Sequence, residues 1–261
     1  MASFIDEFSF EHPQNEGRVG NSNRLIPLER GELRYNEVAR SFRHGWKHPK
    51  KKLPRIYAIF RVTMPERDLK PFHRYRAQVT STPSLSLSVT NPANEQLLFH
   101  GTTRCCSLGE DKRSTRVCDL PQCNLCCVIR SSFDVKKCGS KHRFKRFGLG
   151  IYNTTCSSKA DDYTANPDHA SNLRVVIASR VIVGRPYRRK KNATTLTEPP
   201  CGYHSVIGEP GIDLNYEETV VYNNDAIRPA YVVVYGDPPP ISNTKVLQSV
   251  LMTLFKTPLA S

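Results

Sequence analysis

The chain has 261 residues, 38% of them hydrophobic and 9% aromatic, which is enough apolar material for a packed core and argues against global disorder. Lys and Arg outnumber Asp and Glu by 38 to 24, a formal charge of +14 that points to nucleic acid, an anionic membrane or a phosphate-rich ligand, with a basic soluble surface as the plainer alternative. The opening "MASFIDEFSFEHPQNEG" lacks the basic start and apolar run of a secretory signal, and no apolar stretch reaches the ~20 residues that span a bilayer, so an intracellular protein, cytoplasmic or nuclear, without a membrane partner is expected.

Residues 1–34 are polar and aperiodic and read as a flexible or loosely docked arm. Residues 35–240 read as one domain. Within it, "LPRIYAIFRVTM" (53–64) is rich in β-branched and aromatic residues and predicts a strand. "ERDLKPFHRYRAQV" sets Leu69, Phe72, Tyr75 and Val79 at helical spacing, with Pro71 tolerable only in a first turn. "EQLLFHG" (95–101) predicts a short strand ending at a glycine.

A cysteine-rich insertion over 105–138 follows. In a reducing compartment such a cluster suggests metal before disulfides. The spacing Cys118-x4-Cys123-x2-Cys126, with Cys105 and Cys106 upstream, suits tetrahedral Zn²⁺ held by thiolates. The first choice of ligands is Cys106, Cys118, Cys123 and Cys126, with Cys127 or Cys138 able to replace one; free buried thiols are the alternative. Such a site is structural, because a catalytic zinc keeps an open position and usually has His or carboxylate ligands.

"GLGIYNTTCSSKADDY" (148–163) starts like a dinucleotide fingerprint, but the third glycine position is Asn153 and no βαβ repeat surrounds it, which excludes that reading. "LRVVIASRVIVGR" (173–185) predicts a central strand, and "RPYRRKKNATTLTEPP" (185–200) a basic polar loop. "EETVVY" (217–222) and "AYVVVY" (230–235) predict two strands, with a turn at Asn223, Asn224 and Asp225. Within 241–261, Val246, Leu247, Val250, Leu251 and Leu254 repeat at helical spacing and predict an amphipathic helix. Strands dominate without regular alternation with long helices, so the fold class is α+β rather than doubly wound α/β.

Three short motifs fall in order: "LLFHGT" (97–102), "FGLGIY…SSKADDY" (147–163) and "NYEETVVY" (215–222). With them the chain resembles the catalytic domain of the poly(ADP-ribose) polymerases, the diphtheria-toxin-like ADP-ribosyltransferases. Their His-Tyr-Glu triad lies on H-G-[ST], on G-x-G-I-Y followed by S-K-x-x-x-Y, and on E-x-x-x-Y. The resemblance runs from residues 45–51 through 227–235. It implies an ADP-ribosyltransferase fold with a split, antiparallel-rich sheet and NAD⁺ as a consumed substrate. It also implies transfer of ADP-ribose to a protein or nucleic-acid acceptor, with release of nicotinamide.

Carried over to this chain, the resemblance makes His100, Tyr152 and Glu218 the catalytic set. The NAD⁺ contacts are His100 on the adenosine ribose, Gly101 at the nicotinamide amide, Thr102, Lys159, and Tyr152 with Tyr163 sandwiching the nicotinamide ring. The E-x-x-x-Y spacing selects Glu218 over Glu217, and the glycines are expected to let backbone approach NAD⁺. Ala160 departs from the family, which often has Ser there. The chemistry fits these residue types: nicotinamide leaves as a neutral amide, positive charge develops on the ribose, and a carboxylate stabilises it and can act as a base toward the incoming group. An NAD⁺ glycohydrolase and a non-catalytic module binding NAD-like or nucleic-acid ligands are the rival readings.

Overall fold

The structure, a computed structural model, describes residues 24–81, 91–112, 115–137, 144–167 and 171–237. The expected helix over 241–261, residues 1–23 and Cys138 lie outside them. In chain order the strands are β1 (Leu25–Pro27), β2 (Ile56–Val62), β3 (Glu95–Gly101), β4 (Ile151–Asn153), β5 (Arg174–Ile182), β6 (Pro186–Arg189), β7 (Ser205–Gly208), β8 (Glu218–Val221) and β9 (Ile227–Tyr235). The helices are α1 (Leu33–His44), α2 (Glu66–Ser81), α3 (Asn124–Ser131) and α4 (Ser157–Asp161). No helix among the described residues is long and apolar enough to cross a membrane.

The fold is mixed α+β with two antiparallel-rich sheets. One has the order β1-β2-β9-β5-β3, all antiparallel; the other is β4-β8-β7-β6, with β6 and β7 parallel. β5 lies between β9 and β3 and is buried on both faces, as its β-branched run predicts. Its alternation divides the core. Val176 and Ala178 pack with Tyr35, Val38, Ala39 and Phe42 of α1, while Val175 and Ile177 join Leu125, Ile129 and Phe133 of the cysteine-rich segment. Burying each of the Val, Leu, Ile and Phe side chains among these stabilises by about 1.5–3 kcal/mol.

Three expectations need correction. Residues 24–34 are not an arm: β1 pairs with β2, and α1 starts at Leu33. Pro71 stands inside α2, beyond the first turn from Glu66. Burial of Phe72 and Val79, with the Arg180 and Arg228 guanidinium groups 5.0 and 5.8 Å from the Phe72 ring, outweighs the missing hydrogen bond. The basic run at 186–189 is a strand, β6, because it pairs with β7 from Pro186↔Ser205 to Arg189↔Gly208.

β8 and β9 lie close in sequence but belong to different sheets. A 3-10 turn over Asn224–Ala226 redirects the chain, with the Asn223 side chain accepting from the Asp225 N–H. The sheets meet at β3 and β4. Phe99 and Thr154 exchange two backbone hydrogen bonds, 2.8 and 3.0 Å long, in an isolated antiparallel bridge. The candidate site lies around this junction.

Candidate functional site

His100 and Gly101 end β3, opposite Ile177 and Val176 of β5. The His100 ring nitrogen Nδ1 lies 2.8 Å from the Tyr152 carbonyl oxygen. A carbonyl only accepts, so Nδ1 carries the proton and Nε2 is left as an acceptor. Burial lowers the His100 pKa, opposed by that hydrogen bond, which keeps the ring neutral near pH 7. Phe133 packs against the ring in a T-shaped pair, centroids 5.1 Å apart. Gly101 allows α4 to approach: a Cβ there would stand 1.8 Å from the Ala160 carbonyl oxygen and 3.1 Å from Tyr163 Cβ. Thr102 follows, half-buried.

Tyr152 lies on β4, opposite Val220. Its hydroxyl accepts from the Phe147 N–H at 2.9 Å and donates to the Gly148 carbonyl at 2.8 Å. The Tyr222 hydroxyl donates to the Phe147 carbonyl at 2.6 Å, so two phenols pin the glycine loop. The expectation that these glycines admit NAD⁺ is not supported by the geometry. A Cβ on Gly148, whose φ is +69°, would meet the Leu196 carbonyl at 1.7 Å, and one on Gly150 would meet Val220 Cγ1 at 2.4 Å. Both glycines make room for the protein's own chain.

α4 brings Lys159 inward and leaves Tyr163 just beyond its end, 45% exposed. Ser157 and Ser158 do not replace the missing Ser at Ala160. The Ser157 hydroxyl donates to Phe42 O at 2.6 Å, and Ser158 Oγ accepts the N–H groups of Lys47 and His48 at 3.1 and 3.0 Å. Ala160 itself is core. Asp161 fixes α4 to its surroundings by accepting from Lys51 at 2.6 Å, Arg174 Nε at 2.6 Å and the Tyr235 hydroxyl at 2.7 Å. Burial alone would raise the Asp161 pKa, but these hydrogen bonds and charges outweigh it and hold the carboxyl below its usual range.

Glu218 starts β8 and is only 7% exposed, whereas Glu217 is half-buried. Its Oε1 accepts from Lys159 Nζ at 2.7 Å. Its Oε2 is buried without a hydrogen-bond partner, and Arg146 Nε forms an ion pair with it at 3.6 Å. Lys159 also donates to the Tyr216 carbonyl at 3.3 Å; burial lowers its pKa and the Glu218 charge opposes that. Both tyrosines sense this carboxylate: burial and then other groups including Glu218 push Tyr152 up to about 12 and raise Tyr163. The arrangement therefore offers a buried carboxylate with one neutralised oxygen and one that accepts no hydrogen bond, electrostatically coupled to Tyr152 and Tyr163, while the neutral His100 bonds to the Tyr152 backbone.

The second site is a cysteine cluster. The sulfurs of Cys106, Cys118, Cys123 and Cys126 lie within 4.8 Å of one another. Zn–S bonds of about 2.3 Å in a tetrahedron imply S···S edges of about 3.8 Å. Cys106 lies 3.7 Å from Cys123 and 3.6 Å from Cys126, so the donors fit a tetrahedral thiophilic ion. Hydrogen bonds from Cys106 and then Cys126 pull the Cys123 thiol down, with the Cys105 N–H also donating to its sulfur at 3.3 Å. Cys106 is pushed up to about 12, chiefly by its hydrogen bond with Cys123. Cys127 is not part of the cluster: its sulfur faces the Leu120 and Pro121 carbonyls.

The cluster is joined to the first site. Cys123 caps α3, Cys126 lies within it, and Ser132 at φ +63° turns the chain so that Phe133 meets His100. Arg146 and Phe133 have no signal in the short motifs, since their positions depend on contacts across the fold. A scan of the chain against protein-family models finds no match.

Proposed function

We propose that the chain has an ADP-ribosyltransferase fold of the poly(ADP-ribose) polymerase catalytic type. It moves ADP-ribose from NAD⁺ to a macromolecular acceptor and releases nicotinamide. The observation that carries this reading is Oε2 of buried Glu218, which accepts no hydrogen bond and has the Arg146 guanidinium beside it at 3.6 Å. A buried carboxylate oxygen without a donor is costly, and a ribose hydroxyl is the donor that would satisfy it. The three ordered motifs supply the rest of the support, since their His100, Tyr152 and Glu218 surround one sheet junction.

In this reading His100 Nε2 accepts an adenosine-ribose hydroxyl, and the Gly101 backbone takes the nicotinamide amide. Tyr152 and Tyr163 flank the nicotinamide ring. Glu218 Oε2 accepts the nicotinamide-ribose hydroxyl and stabilises positive charge as the C1′–N bond breaks. Lys159 neutralises Oε1 and holds the carboxylate in one rotamer. The cysteine cluster is read as a structural Zn²⁺ site, because its four thiols leave no open position.

The test uses adenylate-labelled NAD⁺, a cell lysate and the Glu218→Gln variant. Wild type is expected to release nicotinamide and label macromolecules. The variant should lose about a hundredfold or more, from ~3 kcal/mol of lost charge stabilisation. Nicotinamide release without label would make the chain a glycohydrolase. A wild type that neither binds nor consumes NAD⁺ would sink the reading.

A further inference from the structure

The chain after β6 folds back on the glycine loop as a pinned turn. The Leu196 N–H donates to the Ala193 carbonyl at 3.3 Å, which puts Thr194 and Thr195 at the two central positions of a β-turn. Both are exposed. Two bonds hold the start of the turn: the Ala193 N–H donates to the Arg146 carbonyl at 2.8 Å, and Arg146 Nη1 donates to Asn192 Oδ1 at 2.7 Å. At its end the Leu149 N–H donates to the Leu196 carbonyl at 3.0 Å. Thr194, Thr195 and Thr197 share a hollow of about 470 Å³ with Lys145.

The approach to this turn is a run of cations. Lys191, Lys190, Arg189 and Arg188 stand three, four, five and six residues before Thr194, and all but Arg189 are exposed. β6 is the last strand in the order of its sheet, so Arg188 and Arg189 lie on extended chain paired on one side, by β7. Two acidic groups reach the run: Glu209 pairs with Arg188 at 3.1 Å, and Asp213 accepts the Asn192 N–H at 2.9 Å. Neither carboxylate pairs with Lys190 or Lys191. An exposed hydroxyl at a turn, preceded by cations on extended chain, is the charge pattern by which many protein kinases select a substrate.

We propose that Thr194 is a phosphorylation site whose phosphate draws Arg146 away from Glu218; the effect on turnover rests on the transferase reading above. The Thr194 oxygen attacks the γ-phosphorus of ATP as the bond from that phosphorus to the bridging oxygen breaks. ADP leaves with the bonding electron pair, and the hydroxyl proton passes to the base of the kinase. The product carries a charge of about −1.5 to −2 at pH 7 and three acceptor oxygens. It stands next to Ala193, whose amide is bonded to Arg146, and in the same hollow as Lys145. Arginine grips phosphate through two parallel N–H···O bonds, a stronger hold than its 3.6 Å approach to Glu218 Oε2. In the unmodified protein that guanidinium offsets the negative charge of the carboxylate and opposes the positive charge that develops on the ribose. With Arg146 turned to the phosphate, Oε2 is left to the ribose hydroxyl. Phosphorylation is therefore a switch that raises turnover.

The test incubates the full chain with γ-labelled ATP and a panel of protein kinases that select Lys and Arg before their target, and locates the label by mass spectrometry. Label is expected on Thr194, and Thr194→Ala should lose it while its unmodified turnover equals that of wild type. The phosphorylated chain should melt at a higher temperature than the unmodified one, and Arg146→Gln should abolish that difference. Nicotinamide release should rise at least about fivefold on phosphorylation, the low end of ordinary coupling between two sites, and should not respond in Arg146→Gln. No label on the folded chain, label on other residues only, or a midpoint and a rate indifferent to phosphorylation would each overturn the proposal. Label on Thr194 with an Arg146-dependent rise in midpoint but no NAD⁺ binding keeps the site and its contact, and removes the transferase reading alone.

Discussion

Replacing Gly101 by Ala adds one methyl group at the point where β3 touches α4. That carbon would stand 1.8 Å from the Ala160 oxygen, 2.8 Å from its carbonyl carbon and 3.1 Å from Tyr163 Cβ. The first two are backbone atoms, so no rotamer change relieves the overlap. The strand or α4 has to move by roughly 1 Å or more, because ordinary non-bonded carbon contacts lie near 3.5–4.0 Å. Overpacking of this kind costs about 1–3 kcal/mol of stability.

The functional cost should exceed the structural one. α4 carries Lys159, which holds Glu218, and Tyr163 follows it. A misplacement of about 1 Å can cost on the order of a hundredfold in rate. Gly101→Ala is therefore expected to stay folded, with a thermal midpoint lowered by several degrees, and to lose about a hundredfold in nicotinamide release. Gly211→Ala is the matched control, since the nearest atoms to its added carbon are 3.9–4.0 Å away on the Lys190 side chain. A folded Gly101→Ala protein within threefold of wild-type turnover would refute the link between this contact and the site.

Other perturbations test the supports. If the cysteine cluster holds Zn²⁺ and the chain binds NAD⁺ as proposed, removing the metal should lower the thermal midpoint by roughly 10 °C or more, given about 2–4 °C per kcal/mol in a chain of this size, and weaken NAD⁺ binding by releasing Phe133 from His100. An unchanged midpoint after metal loss, checked by elemental analysis, would show that the thiols pack without an ion. Asp161→Asn should cost about 2–4 kcal/mol in urea unfolding, somewhat below a fully buried pair because Arg174 is 44% exposed. The folded Asp161 pKa lies below its ordinary 3.8, so the difference from wild type should be full above that value and vanish as pH falls through the folded pKa; a difference that persists at lower pH contradicts this. Tyr222→Phe leaves the Phe147 carbonyl without its 2.6 Å donor and should cost about 1–3 kcal/mol; no loss would mean that the hydroxyl does not anchor the loop.

The sequence reveals elements whose residues speak for themselves. β3, β5 and β9 carry long β-branched or apolar runs, and α2 shows its spacing despite Pro71. The four cysteines brought together are those the spacing favours, because C-x2-C places two sulfurs on one turn at the start of a helix. α1 is harder to read. Tyr35, Val38, Ala39 and Phe42 follow helical spacing, but Arg40, Arg43 and the short apolar side make the stripe narrow. β6 becomes a strand through its parallel partner and not through alternation of its own. Arg146 near Glu218 and Phe133 on His100 are contacts between distant segments, which no local pattern encodes.

The bridge between Phe99 and Thr154 gives the molecule a narrow seam. His100 belongs to one sheet, and Tyr152 and Glu218 belong to the other. Parting the walls at this point breaks these two backbone hydrogen bonds and the bond from His100 Nδ1 to the Tyr152 carbonyl rather than a ladder, each worth about 1 kcal/mol net. Such breathing is far less expensive than global unfolding and can occur on its own. Hydrogen exchange at the Phe99 and Thr154 amides thus acts as a gauge of the mouth. A molecule that grips both walls slows exchange there, and one that rests on a single wall leaves it unchanged.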